Sequence, residues 1–482
     1  MRVLHVASEI APYAKTGGLA DVLGALPAAL ARLKTEVMVV APRYRAIDPD
    51  RFGLGRWLST VPVPLGDGTI EVGVYEGTPP GGARVRLFFI DHPPSFDRDG
   101  LYGPPGGGDF PDNARRFTLL GRAALALAAH LGLWPDILHG HDWQAGPALL
   151  YARSTHGDLR PPRTVFTVHN LAFQGLFPES TVEELGFPRA LYHPDGYEFY
   201  GQVSLLKAGL VLADRITTVS PSYAKEIQTP EQGCGLDGLL RARADRLVGI
   251  LNGVDYEVWS PEHDRYLPAG YSKDALGGKR RCKLELQRAF GLPLSADTPL
   301  SGSVSRLTEQ KGFDLLLGAL PHILEGDAQV ALLGTGDPEL ERALIALAAR
   351  HPKKLAVRIG YDEALAHLIE AGSDLFLMPS RYEPCGLNQL YSLRYGTPPV
   401  VRATGGLDDT IVDYEPRSRS GTGYKFVETT APALTSAWRR ALHTYRETPS
   451  EHQALQRRGM AQDFSWAASA RRYLELYDGL SR

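Results

Sequence analysis

The sequence predicts an α/β protein of two doubly wound domains, each a parallel sheet covered by helices, facing each other across a deep cleft. Three observations carry that prediction. Short, apolar, β-rich runs alternate with helix-period patterns through both halves of the chain. Polar residues able to bind anions and sugars recur where those runs end, and sheets of this kind take ligands in the crevice beyond their strand C-termini. A polar, turn-rich stretch from Pro261 to Lys279 lies between the halves. The expected division is 1–245, 246–462 and a terminal helix at 463–482 packing back toward the first domain, with the hinge between Arg246 and Pro261.

The first element is an apolar run at Arg2 to Ser8, followed by Lys15-Thr-Gly-Gly-Leu-Ala-Asp-Val22 and a helical pattern of Leu19, Val22, Leu23, Leu26, Leu30 and Leu33. Paired glycines let backbone amides approach a ligand, and a helix N-terminus offers unpaired N–H groups, so this corner suits an anion. Lys15 adds a mobile cation. The residues alone also allow an ordinary strand-to-helix turn with a surface lysine. Further strands are expected near Glu36–Val40, Val85–Ile90, Asp136–His139, Thr164–Val168 and Arg215–Val219, with a long helix over Asn113–Leu131. Gly100 to Pro111 is too rich in glycine and proline for regular structure and reads as a cleft-side loop or lid. The second alternation places strands near Val248–Leu251, Leu300–Val304, Gln329–Leu333, Leu355–Ile359, Leu375–Met378 and Pro399–Arg402, and a last helix carries Tyr473, Leu476, Tyr477 and Leu480 on one face.

Composition narrows the function. With 52 basic and 55 acidic residues the net charge is −3, which gives no support to nucleic-acid or anionic-membrane partners. Cysteine occurs only at Cys234, Cys282 and Cys385, with no CxxC, so neither a disulfide framework nor a zinc cluster is indicated. Met1 leads directly into the first strand, and no cationic leader or stretch of eighteen apolar residues follows. The expected address is cytoplasmic.

The candidate chemistry sits at predicted strand ends. After Val304 come Arg306 and Lys311, two cations able to clamp a diphosphate and stabilise it as a leaving group; an ion pair of this loop with Glu309 is the plainer alternative. After Met378, Glu383-Pro-Cys-Gly-Leu387 places a carboxylate where it can accept hydrogen bonds from sugar hydroxyls, or cap a following helix. His139-Gly-His141-Asp142-Trp143 and Val168-His169-Asn170 end two more strands and read as polar cleft wall rather than as a metal site. Asn252 and Asp255 fall in a turn, and Gly405-Gly406-Leu407 repeats the glycine-pair arrangement of the opening stretch.

Taken together, Lys-Thr-Gly-Gly-Leu-Ala-Asp-Val at 15–22, His-Asp-Trp at 141–143, Val-His-Asn-Leu at 168–171, Leu-Asn-Gly-Val-Asp at 251–255, Ser-Arg-Leu-Thr-Glu-Gln-Lys-Gly at 305–312, Glu-Pro-Cys-Gly-Leu at 383–387 and Gly-Thr-Gly-Tyr at 421–424 closely resemble bacterial glycogen synthase and plant starch synthase, over nearly the whole chain. The resemblance implies a glycosyltransferase of the two-Rossmann B type (GT-B), with an acceptor-side first domain and a nucleotide-sugar-binding second domain. It implies transfer of glucose, with retention, from ADP-glucose to the 4-hydroxyl of an α-1,4-glucan end, without metal or cofactor. By resemblance, Lys15, Arg306 and Lys311 hold the diphosphate with the Gly18 amide. Glu383 and the amides of Cys385 and Gly386 bind glucose hydroxyls beside Leu387, with Asn252 and His169 on the other side. Asp142 sits near the acceptor or the 6-hydroxyl, with Asp21 also on the acceptor or sugar wall. Tyr361 stacks on adenine, and Tyr102 is a second donor-site aromatic. The domains are expected to close over the donor.

Three positions depart from the family pattern: Gln144 replaces a histidine, Asn388 replaces a threonine, and Tyr391 stands where many retaining transferases carry a second glutamate, as is normal for glycogen synthases. Asn388 is expected near the donor phosphates or ribose and puts ADP-versus-UDP choice in question. A nucleotide-sugar epimerase needs a base for a carbon-bound proton, whereas a non-catalytic glucan-binding protein would release no nucleotide. A phosphorylase is disfavoured, since the resemblance includes no pyridoxal-binding motif. Oligomeric state, allosteric control and chain-length preference are not legible.

Overall fold

The computed structural model describes residues 1–105, 107–153 and 159–481. The chain forms two compact units. The first comprises Met1–Val219 and Ala224–Gly253 and resumes at Trp466; the second comprises Val254–Ser465 together with Ser220–Tyr223. Gly106, within the expected loop, and Arg482, at the end of the expected terminal segment, lie outside the described residues.

In the first unit, seven strands run parallel in the order Leu247–Gly249, Arg215–Thr218, Arg163–Val168, Ile137–His141, Arg2–Val6, Glu36–Pro42, Val85–Asp91. Their near-continuous apolar sequences fit a sheet covered on both faces. Val3, Val37, Val39, Ile137 and Val165 are all buried. Gly68–Gly77 extends this sheet antiparallel and carries Gly55–Arg56 and Val61–Leu65. The helix expected over Asn113–Leu131 spans Asn113–His130 and buries Phe117, Leu120, Ala124 and Leu127.

The second unit is a six-stranded parallel sheet ordered Leu355–Ile359, Gln329–Gly334, Leu300–Val304, Leu375–Met378, Pro399–Arg402, Tyr424–Phe426. Apolar clusters cover both of its faces, one around Leu316, Leu332 and Trp438, the other around Leu286, Ile369 and Tyr395.

The strand expected at Val248–Leu251 is a correction to the domain division. It forms as Leu247–Gly249 and pairs in parallel with Arg215–Thr218, as the edge strand of the first sheet. The first unit therefore runs to Gly253, not 245, and the second closes at Ser465, not 462. Backbone pairing with Arg215–Thr218 ties this strand to the first sheet, so the boundary falls just after it, inside the span expected for the hinge. Ser469 Oγ donates to the Leu251 carbonyl at 2.7 Å, and a side chain on Gly253 would meet the Trp466 backbone at 2.6 Å.

The terminal helix Trp466–Ser481 packs on helix Gly18–Arg32 of the first unit and buries Tyr473 and Tyr477. The Tyr477 hydroxyl lies 2.7 Å from His139 Nδ1. Tyr477→Phe is expected to cost about 1–2 kcal/mol, because it leaves a buried ring nitrogen unpaired. Urea unfolding checks this, and an unchanged midpoint would mean the bond contributes nothing net. Among the described residues, no helix is long and apolar enough to cross a membrane.

Candidate active site

At the glycine corner of the first unit, strand Arg2–Val6 leads through a turn into helix Gly18–Arg32. Glu9, which sequence reasoning missed, organises the turn. Its buried carboxylate accepts from the Thr16 amide at 2.6 Å, the Thr16 hydroxyl at 2.6 Å and the Gly17 amide at 3.2 Å. The two glycines divide the corner: the Gly17 amide serves Glu9, whereas Gly18, as the first helical residue, has no intrahelical acceptor for its N–H. Tyr102 joins the same corner, its hydroxyl donating to Glu9 at 2.5 Å and lying 2.8 Å from Ser8 Oγ. Burial, with the Glu9 charge, holds that phenol well above its usual range. The Gly100–Pro111 loop is anchored here as well, because the Tyr102 carbonyl accepts from Asn113 Nδ2 and the Leu101 carbonyl from Arg116. Lys15 is exposed and pairs with Asp21 at 2.7 Å, so Asp21 steers the lysine.

Asp142 and His169 meet at the ends of adjacent strands. The Asp142 carboxylate accepts from the His169 amide at 2.7 Å, with Asp142 held at φ +55°. Burial pushes this carboxyl up to about 7, against the pull of the His169 and Asn170 amides. An unfolded aspartate releases its proton near 3.8, so between pH 4 and 7 the native state keeps a proton that the unfolded chain has lost. The Asp142 contribution to stability therefore falls as pH rises through that window and is level above it. Asp142→Asn keeps the acceptor oxygen and tolerates the left-handed backbone. Its stability relative to the wild type is expected to rise between pH 4.5 and 7.5 in paired urea titrations; a constant difference would count against the raised carboxyl.

The expectation of a polar wall at His139 and His141 is corrected. Both are fully buried, because their strand is central, the terminal helix covers His139 through Tyr473 and Tyr477, and His141 packs among His5, His139 and His169. His5, His139 and His141 bring ring nitrogens within 4.8 Å of one another, a spacing open to a metal ion. Hydrogen bonds nevertheless engage both nitrogens of His139 and of His141, so a cation would have to displace them. Asn252 belongs to the first unit and is buried, with its Oδ1 unpartnered among the described residues. Gln144 is buried in helix Asp142–Ala152.

In the second unit the residues expected around the sugar converge. Lys311 donates to Glu383 Oε2 at 2.6 Å, and Ser380 Oγ donates to the same oxygen at 3.0 Å. The alternative ion pair with Glu309 goes instead to Arg381, at 3.7 Å. Glycines hold this geometry. Gly312 adopts φ +72°, and a Cβ there would lie 2.0 Å from the Pro379 carbonyl oxygen. Gly405, at φ +46°, and Gly406 pack on the carbonyls of Glu383 and Cys385, and the Gly406 amide donates to the Glu383 carbonyl at 3.1 Å. Glu383 does not cap helix Asn388–Arg394, whose N-cap is Leu387 with no side-chain bond. Gln389, also missed from sequence, donates to the carbonyls of Cys385 and Gly386 at 2.9 and 3.1 Å.

Arg306 is exposed after strand Leu300–Val304, its guanidinium 3.4 Å from Gln310 Oε1. Asn388 donates its amide to the Val304 carbonyl, so it ties the helix start to the strand that leads into Arg306. Tyr361 is 67% exposed beyond edge strand Leu355–Ile359 and pairs with Glu363. Tyr391 lies parallel to Trp259, with ring centroids 3.8 Å apart, and Trp259 stacks in turn on His367 at 3.7 Å.

The starch synthase catalytic domain family matches residues 2–242, and the glycosyl transferases group 1 family matches residues 288–458. Along its full length the chain is 52% identical over 485 residues to a glycogen synthase of Anaeromyxobacter dehalogenans (strain 2CP-C), covering 100% of both chains. It is 51% identical over 488 residues to one from Thioalkalivibrio sulfidiphilus, again covering 100% of both. The catalytic domain of starch synthase IV from Arabidopsis thaliana, solved with ADP and acarbose, is 33% identical and superposes with a TM-score of 0.91 over 99% of each chain. Sucrose-phosphate synthase from Thermosynechococcus elongatus, at 18% identity and a TM-score of 0.60, shares the fold over 99% of this chain and 98% of that one. With two Rossmann-like domains and these relatives, the chain is a GT-B glycosyltransferase and belongs to the glycogen synthase and starch synthase family.

Proposed function

We propose that this enzyme transfers glucose from ADP-glucose to the 4-hydroxyl at the non-reducing end of an α-1,4-glucan, with retention at the anomeric carbon and release of ADP. The observation that carries the reading is the Lys311–Glu383 pair, a cation and a carboxylate 2.6 Å apart at the C-terminal ends of neighbouring parallel strands. An ADP-glucose molecule offers each of them a partner. Its diphosphate takes Lys311, together with Arg306, Lys15 and the Gly18 amide. Its glucose hydroxyls donate to Glu383 and accept from the amides of Cys385 and Gly386. Tyr361 supplies a face for adenine. The ADP and acarbose carried by the Arabidopsis starch synthase domain support the same pairing of nucleotide and glucan.

The bond between the glucose C1 and the diphosphate oxygen breaks as a bond to the acceptor O4 forms on the same face. The acceptor proton passes to the departing phosphate oxygen. Lys15, Arg306 and Lys311 stabilise the charge growing on that diphosphate, so the reading invokes no metal. Asp142 and His169 line the sugar. Trapping a glucosyl adduct on any carboxylate would replace the front-face path with a double displacement.

The test is nucleotide release from ADP-glucose and UDP-glucose in separate reactions, with and without glycogen. Glycogen-dependent ADP release is expected. UDP preference would move the donor assignment, and Asn388 would then be substituted first. No release from either donor, despite binding, would overturn the reading in favour of an epimerase or a glucan-binding protein.

A further inference from the structure

The parallel register sets His5 beside His139, and His141, two residues on, shares their face of the sheet. His5 Nδ1 lies 3.0 Å from His141 Nε2, and His141 Nδ1 lies 3.0 Å from His169 Nε2, so three imidazoles form one chain that ends at the partly exposed His169. Burial pulls His5 and His169 down to about 3 and holds His141 well below its usual range, so all three rings are neutral at physiological pH. Each link then pairs one N–H with one bare nitrogen, and only two polarities satisfy both links. In one, His5 Nδ1–H donates to His141 Nε2 and His141 Nδ1–H donates to His169 Nε2, leaving His169 with its hydrogen on Nδ1. In the other, every hydrogen is reversed and His5 must carry its hydrogen on Nε2. His5 Nε2 is buried without a partner among the described residues. A buried, unpaired N–H is the rarer and costlier orphan, so the first polarity is the stable one.

We propose that His5 is a positioning residue, which acts through His141 to hold His169 in the Nδ1–H tautomer and so makes that nitrogen a hydrogen-bond donor to a substrate oxygen. This rests on the reading that His169 lines the glucose site. The chain also accounts for two buried histidines that the chemistry of transfer does not itself use. Nδ1 is the nitrogen of His169 left over when the relay occupies Nε2, so it is the atom available to a sugar hydroxyl.

The test uses the full-length protein labelled with ¹⁵N-histidine, its ring nitrogens read by two-bond ¹H–¹⁵N correlation and His169 identified by loss of its signals in His169→Gln. The wild type is expected to show a protonated Nδ1 and a bare Nε2 at His169. His5→Leu is expected to give mixed tautomers there and to lower kcat about tenfold, with the KM for ADP-glucose little changed. His5→Asn, whose amide can replace the Nδ1–H donor, should restore both. A hydrogen on Nε2 of wild-type His169, or an unaltered His169 spectrum in His5→Leu, would overturn the proposal. Should His5→Leu not fold, the wild-type spectrum and His5→Asn decide. The spectrum is read without substrate, so a protein with the stated tautomer but no glucosyl transfer refutes the function and leaves the relay standing.

Discussion

Lys311→Ala is expected to lower kcat for glucosyl transfer by about two to three orders of magnitude, since removing one donor to a developing charge costs roughly that much. The same substitution is expected to destabilise the fold. Glu383 has a side chain only 7% exposed, and Lys311, at 18%, is its only cation among the described residues. Deleting the ammonium leaves a nearly buried carboxylate with the Ser380 hydroxyl as its one remaining side-chain partner among the described residues. Breaking a fully buried pair costs about 3–5 kcal/mol, and the partial exposure of Lys311 brings the expectation down to about 2–3 kcal/mol. The two effects separate in a double variant. Lys311→Ala combined with Glu383→Gln removes the stranded charge, so stability should largely return while transfer does not. Urea unfolding and initial rates of ADP release measure them independently. A Lys311→Ala enzyme within tenfold of wild-type kcat would remove Lys311 from the transition state and leave it a structural counter-ion.

How much of this site was legible in sequence depended on the range of the interaction. Strands such as Leu300–Val304, Leu355–Ile359 and Leu375–Met378 follow from local apolar runs, and their ends locate Arg306, Tyr361 and Glu383. Glu9 was not legible, because nothing in Ser8-Glu9-Ile10 marks a carboxylate that folds back on the amides of Thr16 and Gly17. The partner of Lys311 lies 72 positions away, so the nearby Glu309 was the natural but mistaken candidate. Burial of His139 depends on a helix more than three hundred residues later, whose Tyr477 reaches it. The short strands Leu176–Pro178, Glu198–Phe199 and Gln202–Ser204 also escaped, because a three-stranded antiparallel patch of two or three residues per strand has no readable period.

Gly406→Ala is expected to cost about a hundredfold in kcat while leaving the protein folded. A methyl group at this position would lie 2.0 Å from the Cys385 carbonyl oxygen and 2.5 Å from the carbonyl carbon and Cα of the same residue. These are backbone atoms, with no flexible side chain to yield, so the segment from Glu383 to Gly386 has to move by about an ångström to restore packing. That segment carries the carboxylate and the amides assigned to the glucose hydroxyls. A displacement of about 1 Å at a reacting centre is worth roughly a hundredfold in rate, whereas overpacking of one methyl costs about 1–3 kcal/mol of stability. Gly277→Ala is the matched control: a Cβ there meets nothing within 4 Å, at the first position of helix Gly277–Phe290. It should leave transfer unchanged and stability equal or slightly higher. If Gly406→Ala instead keeps kcat within threefold of the wild type, the carbonyls of Glu383 and Cys385 can yield without consequence. Fixed placement of Glu383 by the glycine pair would then not be what the reaction uses, and the carboxylate would have to find its geometry from the bound sugar itself.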